Sequence, residues 1–163
     1  MANSLPDVVA AALRVLDSYG LEFCSMRRVA AELDVQPSAL YHHVPNKQSL
    51  LALMADEIVR DVDGEDPRAL CHALREAMLR VRDGAEVVAT ASAFRLGVSD
   101  VQKRLADLVG DDAARTLLLY VFGHAQSTQT HRQASAVGAI DEDPDLDASF
   151  DRGLTLILAG LGR

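Results

Sequence analysis

The sequence predicts an all-α protein: an N-terminal three-helix unit joined by a fourth helix to a larger helical body. Three observations predict it. The five prolines, at 6, 37, 45, 67 and 144, act as punctuation, and the segments between them carry apolar residues at helical spacing. No segment shows the sustained β-branched alternation of a strand. Residues 68–143 contain no proline, which leaves room for several long helices. The 163 residues are 49% hydrophobic and 25% charged, the balance of a packed globular chain rather than a disordered one.

The helices can be read off in order. Ser4 is the N-cap of the first, Pro6 falls in its first turn, and Gly20 closes it after Tyr19. Val9, Leu13 and Leu16 give it an inward face. Ser25 caps a short second helix running to about Leu33. Asp34-Val35-Gln36 then makes a tight turn, where Asp tolerates the left-handed backbone. Pro37 suits the first position of a third helix, expected to reach His43, and Val44-Pro45 ends it. Asn46 caps a fourth helix from Lys47 to Val62. The acidic stretch 61–67 reads as a connector. Helices are expected beyond it at 68–82, 84–91, 99–109, 111–135 and 145–161, with a second acidic loop at 141–145. The domain organisation expected is 1–46, a connecting helix at 47–62, and a body at 63–163.

Charge and cysteine usage narrow the function classes. Asp and Glu number 24 against 16 Lys and Arg, a net charge of −8. Residues 1–47 hold four basic groups (Arg14, Arg27, Arg28, Lys47) and five acids. Any phosphate-binding surface must therefore be local, because the field of the whole molecule repels nucleic acid. Cys24 and Cys71 stand far apart, in no metal-binding or redox spacing, which suits a reduced, cytoplasmic protein. No apolar run approaches the ~18 residues of a membrane span, and the N-terminal stretch lacks the basic region of a signal peptide. No zincin, di-iron, nucleophile-elbow, Walker or dinucleotide motif occurs, so no catalytic residue, metal or cofactor is expected.

Residues 25–43, SMRRVAAELDVQPSALYHH, carry the most information. Two short helices joined by a three-to-four-residue turn make the helix-turn-helix layout. Val29, Ala30, Val35, Leu40 and Val44 can lock the pair, leaving Pro37, Ser38, Ala39, Tyr41, His42 and His43 around the outer face and ends of the second helix. Such a helix fits the major groove. Arg27 suits a bidentate contact to guanine, and Lys47 beside the amides that open the fourth helix suits a phosphate. For Arg28 an exposed, uninvolved charge is the better reading.

Residues 8–58 resemble the DNA-binding domain of the TetR family of bacterial transcriptional repressors. The matching words are LRVLDSYGLE, SMRRVAAELDV and above all ALYHHVPNKQSLLALMADEI. RDGAEVVA (82–89), LLLYVFGH (117–124) and FDRGLTLILAGL (150–161) extend the likeness into the regulatory domain of that family's tetracycline-binding members. The resemblance implies a homodimer that binds a double-stranded DNA operator through Arg27, Ser38, Ala39, Tyr41, His42, His43 and Lys47 and is released by a small effector. The chain departs from the tetracycline-binding members at Pro37 and His42, which bears on operator sequence. It also departs at Leu70, Val88 and Arg132, where those members hold the drug and its magnesium, so a tetracycline–magnesium effector is not expected.

For the effector, the expectation is an apolar cavity among the body helices. Leu74, Met78, Val88, Phe94 and Phe122 are its candidate walls, with Gln126 and Gln129 as orienting polar groups. The polar cluster around 124–131 has a second reading, as hydrogen bonding in the core or at a dimer interface. Leu117, Val121, Phe150, Leu154, Leu158 and Leu161 are the candidate dimer contacts. A chain of this fold that binds a small ligand but has lost DNA binding is the alternative function, favoured by the acidic head and Pro37.

Overall fold

The computed structural model describes residues 4–161. Among them nine α-helices follow one another: α1 (Leu5–Tyr19), α2 (Met26–Glu32), α3 (Pro37–Tyr41), α4 (Lys47–Val59), α5 (Pro67–Leu79), α6 (Gly84–Ala93), α7 (Ser99–Val109), α8 (Asp111–Ala136) and α9 (Leu146–Gly160). The described residues contain no strand. Each helix expected from the sequence is present; the differences lie at the ends. α3 stops at Tyr41, because the amides of His43 and Val44 both turn back to the Leu40 carbonyl. α4 stops at Val59, three residues early. A 3₁₀ turn over Leu21–Phe23, not foreseen, joins α1 to α2.

Side-chain caps set the starts of α1, α2, α4 and α5. Ser4 and Asp7 form a reciprocal capping box on α1. The Ser25 hydroxyl accepts from the Arg28 amide at 3.3 Å, Asn46 from the Ser49 amide at 2.8 Å, and Asp66 from the Ala69 amide at 2.8 Å. Each such cap is worth about 1 kcal/mol. Asp34, at φ 54°, makes the left-handed turn between α2 and α3.

α1, α2 and α3 pack into a head around Val8, Ala12, Leu16, Val29, Ala30, Leu40 and Val44. α4 packs on α1 at the head and on α5 and α6 of the body, so one helix belongs to both. The body closes with α5, α6 and α7 against α8, and α9 lies along α8. A second connection runs through the α5–α6 corner. Arg82 Nη1 donates to the carbonyls of Asp17 and Ser18 at 3.0 and 3.2 Å, at the C-terminal end of α1. Asp83 accepts from the Leu21 amide through Oδ2 at 2.8 Å and from Gln133 Nε2 through Oδ1 at 2.7 Å. Gly20 makes this approach possible. Its φ is 81°, and an added Cβ would sit 3.1 Å from Asp83 Oδ2 and 3.3 Å from Arg82 Nη2.

α5, α8 and α9 meet around Phe150. Tyr120 stacks on it with ring centroids 5.5 Å apart, His72 and His124 meet it edge-on, and the Arg75 guanidinium lies 4.8 Å from its centroid. A directional chain of hydrogen bonds crosses the same region. Arg75 Nη2 donates to Thr128 Oγ1 at 3.3 Å, and Thr128 contacts His124 Nδ1 at 3.2 Å. His124 Nε2 contacts Ser149 Oγ at 3.0 Å, and Ser149 donates to the Leu146 carbonyl at 2.9 Å. Every link is satisfied when His124 is neutral with its proton on Nε2. Burial, then the Arg75 charge, depresses the His124 pKa and holds it in that form, against the opposing pull of Asp147.

The residues expected at the dimer contact need correction. Leu117, Val121, Phe150 and Leu154 are each fully buried within one chain, so their side chains are not available to a second copy. Leu158 is half-buried, packed against that same core, and only Leu161 is exposed. The reason is geometric: an amphipathic helix has one apolar stripe, and α9 spends its stripe on α8. Gly153 serves that packing, since a Cβ there would lie 2.1 Å from Tyr120 Oη.

Two outcomes are expected. Arg82→Ala removes both bonds to the end of α1 and lowers stability by about 1 kcal/mol; an unchanged urea midpoint would show the corner to be inert. His124 binds fewer protons folded than unfolded at pH values just below its ordinary 6.5. Its contribution is therefore complete above pH 6.5 and is lost as pH falls toward the depressed value. The melting temperature should drop over that interval, and His124→Asn should flatten the drop.

Candidate DNA interface and effector cavity

The head presents α3 outward. Leu40 and Val44 are fully buried against Val29 and Ala30 and set its angle, while Ser38, Ala39, Tyr41, His42 and His43 are exposed, Tyr41 at 53%. His42 and His43, which the expected helix would include at its end, lie just past α3 in the turn into α4. Arg27 is exposed at the second position of α2, and Lys47 is exposed at the first position of α4. No carboxylate engages either cation among the described residues. Arg28 is spent within the chain: its guanidinium lies 4.3 Å from the Tyr19 ring centroid and 5.9 Å from that of Phe23.

The start of α4 adds a second element. Asn46 satisfies the Ser49 amide and its carbonyl takes the Leu50 amide, which leaves the Lys47 and Gln48 amides without a helical partner. Two open amides, a helix dipole and a lysine are groups of the kind that suit a phosphate. Gln48, which was not among the residues singled out from the sequence, is exposed beside them at the second position of α4. Chemically, the surface combines one guanidinium, hydroxyl and imidazole groups, a lysine and open helix amides, donors and acceptors of the kind that base edges and phosphates take.

The effector expectation fares differently. Leu74, Met78, Val88 and Phe122 are buried and close-packed in the body. Phe94 is 54% exposed, just past the end of α6. Gln126 is exposed. Gln129 donates from Nε2 to the Val81 carbonyl at 2.8 Å and accepts from the Ala85 amide at 3.1 Å, so it fastens α8 to both ends of the α5–α6 corner. The seven residues are thus not brought into one cavity. Apolar faces that meet in a close-packed interior fill each other's space. Of the two readings of the polar cluster, core bonding holds for His124, Thr128 and Gln129. Open space lies elsewhere, as a groove of about 1120 Å³ between α1, α4 and α7.

Other chemistry is quiet. No three His, Cys, Asp or Glu side chains converge as a metal site among the described residues. Burial raises the Cys24 thiol pKa and pushes that of Cys71 up to about 12, so both stay protonated. No described helix is long and apolar enough to cross a membrane.

A short exposed helix in a helix-turn-helix head, carried on a helical body by a shared fourth helix, defines a DNA-binding transcriptional regulator. Comparison with known proteins agrees. Residues 8–54 match the family model "Bacterial regulatory proteins, tetR family". The class C tetracycline repressor of Escherichia coli is 30% identical over an alignment covering 94% of this chain and 88% of that protein. The crystal structure of BioQ from Mycobacterium smegmatis is 38% identical, covers 98% of this chain and 97% of its own, and superposes with a TM-score of 0.92. A BioQ structure with its natural double-stranded DNA operator is 35% identical over 98% of each chain, with a TM-score of 0.85. The chain belongs to the TetR family of transcriptional regulators.

Arg27 and Lys47 should separate by readout. Arg27→Ala is expected to cost about 1–3 kcal/mol of operator affinity and to relax specificity at one base pair. Lys47→Ala should weaken all sequences alike and flatten the salt dependence by about one unit of slope. Mobility-shift titrations on operator and scrambled DNA check both; a sequence-selective loss for Lys47→Ala would argue against a phosphate contact there.

Proposed function

We propose that this chain is a cytoplasmic, ligand-released repressor that acts as a homodimer on a palindromic operator and catalyses no reaction. The observation that carries the reading is the helix-turn-helix surface itself. In a chain of net charge −8, Arg27 and Lys47 are left uncommitted around an exposed α3, while seven arginines elsewhere are paired with the chain's own acids. Arg27, Ser38, Ala39, Tyr41, His42 and His43 are assigned to the groove, and Lys47 with the α4 amides to a phosphate.

Two such heads must reach successive major grooves about 34–36 Å apart, which requires a second copy held at fixed spacing. The outer face of α8 and α9 supports that role. Leu119 and Leu156 are 65% and 77% exposed there, and Leu161 follows at the end of α9. Gly123 and Gly160 have open space around them, which allows a second helix to approach closely. An effector that alters how the body holds α4 or the Arg82–Asp83 corner changes the head spacing. To switch an operator fully it must prefer the released state by about 5.5 kcal/mol.

Selection of binding sites from random double-stranded DNA tests the reading: a palindrome bound at two heads per site supports it, and no enrichment would favour the ligand-binding alternative. For the dimer, Leu156→Glu should halve the sedimenting mass with the fold intact. Leu154→Glu is not an interface test, since it places a charge in the core of one chain.

A further inference from the structure

A second cleft, of about 520 Å³, opens where α5, α8 and α9 meet. Three guanidiniums line it: Arg75 from α5, Arg80 at the end of that helix, and Arg132 from α8. Asp147 of α9 and Glu76 are its acids, and Leu79 is its apolar wall. Arg75 is only 6% exposed. Nη2 is its one bonded nitrogen, donating to Asp147 Oδ1 at 2.8 Å and to Thr128 Oγ1 at 3.3 Å. Nε is buried without a partner, and Nη1 bonds no group among the described residues. Asp147 is shared, since Arg132 Nη2 reaches both of its oxygens, at 3.0 and 3.1 Å. Neither Arg80 nor Glu76 forms an ion pair among the described residues. His72, at the edge of the cleft, turns Nε2 to Asp151 at 3.1 Å.

Burying a guanidinium costs free energy unless its donors are met. Here one exposed carboxylate serves two guanidiniums, and the buried one keeps donors unmet. In a chain of net charge −8, that surplus of N–H groups at one place asks for an anion. We propose that this cleft binds a small organic carboxylate. Asp147 shows that Arg75 and Arg132 accept such a group, because its carboxylate already bridges them. The ligand is a second carboxylate, taken by Arg75 Nη1, the free edge of Arg132 and Arg80. The cleft has the volume of a small-molecule site, more than an inorganic ion fills, and Leu79 meets the ligand's apolar part. It also stays open in the dimer proposed above. Along α9, Asp147 lies about two and a half turns from Leu156, so the two side chains point to opposite sides. The inference does not depend on the DNA-binding reading.

Calorimetric titration of the full chain with benzoate, its neutral amide benzamide and inorganic phosphate is the test. The expected result is saturable binding of one benzoate per chain in the millimolar range, weaker binding of phosphate and none of benzamide. Arg80 and Arg132 are exposed, so Arg80→Gln and Arg132→Gln leave the core untouched, and a retained cooperative melt confirms the fold. At least one of them should weaken benzoate about tenfold, the loss of one charge-assisted hydrogen bond. Arg115→Gln removes another exposed charge of α8, roughly 25 Å along the helix from Arg132, and should leave binding as it was. No saturable benzoate binding overturns the site. Undiminished binding in both cleft variants, or an equal loss in Arg115→Gln, overturns its location. Benzamide or phosphate bound as tightly as benzoate overturns the carboxylate.

Discussion

The head is tied to the body at one corner. Arg82 and Asp83, between α5 and α6, bond the last carbonyls of α1, the Leu21 amide and Gln133 of α8. The unmatched carbonyls at a helix C-terminus carry partial negative charge, and a guanidinium is the natural group to meet them. Gln129 bonds the same corner from α8, at the Val81 carbonyl and the Ala85 amide. The corner is therefore part of a chain of hydrogen bonds from α8 to the end of α1. α4 supplies the other link, and two links fix an orientation where one would leave a hinge.

That orientation gives a weak electrostatic surface its use. An acidic chain cannot rely on its overall field to reach DNA. It can hold a few cations free of its own carboxylates at one place. Seven arginines are neutralised away from α3 and Arg28 is turned onto Tyr19 and Phe23, whereas Arg27 and Lys47 beside α3 meet no carboxylate among the described residues. Specific contacts then outweigh long-range attraction, which favours selectivity over non-specific binding.

The α5–α8–α9 junction shows how a polar group is carried inside the same body. Arg75 is buried, with Asp147, Thr128 and the face of Phe150 as partners, and its Nε has none. Asp147 in turn is held below the usual carboxylate range, first by its bond from Arg75. This arrangement lay within reach of the sequence only as an ambiguity. A histidine, a threonine and two glutamines interrupting an apolar helix look the same whether they face a ligand, a partner or their own core. The distant partners are Ser149 of α9 for His124, Arg75 of α5 for Thr128, and Val81 and Ala85 at the α5–α6 corner for Gln129, each more than 20 positions away.

Local signals determined the helices and the helix-turn-helix. Caps, prolines and turn residues act within four or five positions, so Ser4, Ser25, Asn46, Pro37 and Asp34 marked the elements, and the short word around Tyr41 marked the exposed helix of the head. Even there, the exact end of α3 depended on how His43 and Val44 turn back to Leu40. Packing between distant helices decided the rest. Phe150 and Leu154 looked like a surface stripe in one helix and proved to be core, because α8 covers them. Leu74, Met78 and Val88 looked like cavity walls and are filled in by one another's neighbours, while the open groove formed between α1 and α7, about 90 residues apart in the chain. Helical periodicity says which face is apolar; only tertiary structure says what that face meets, because burial is a property of the pair of surfaces.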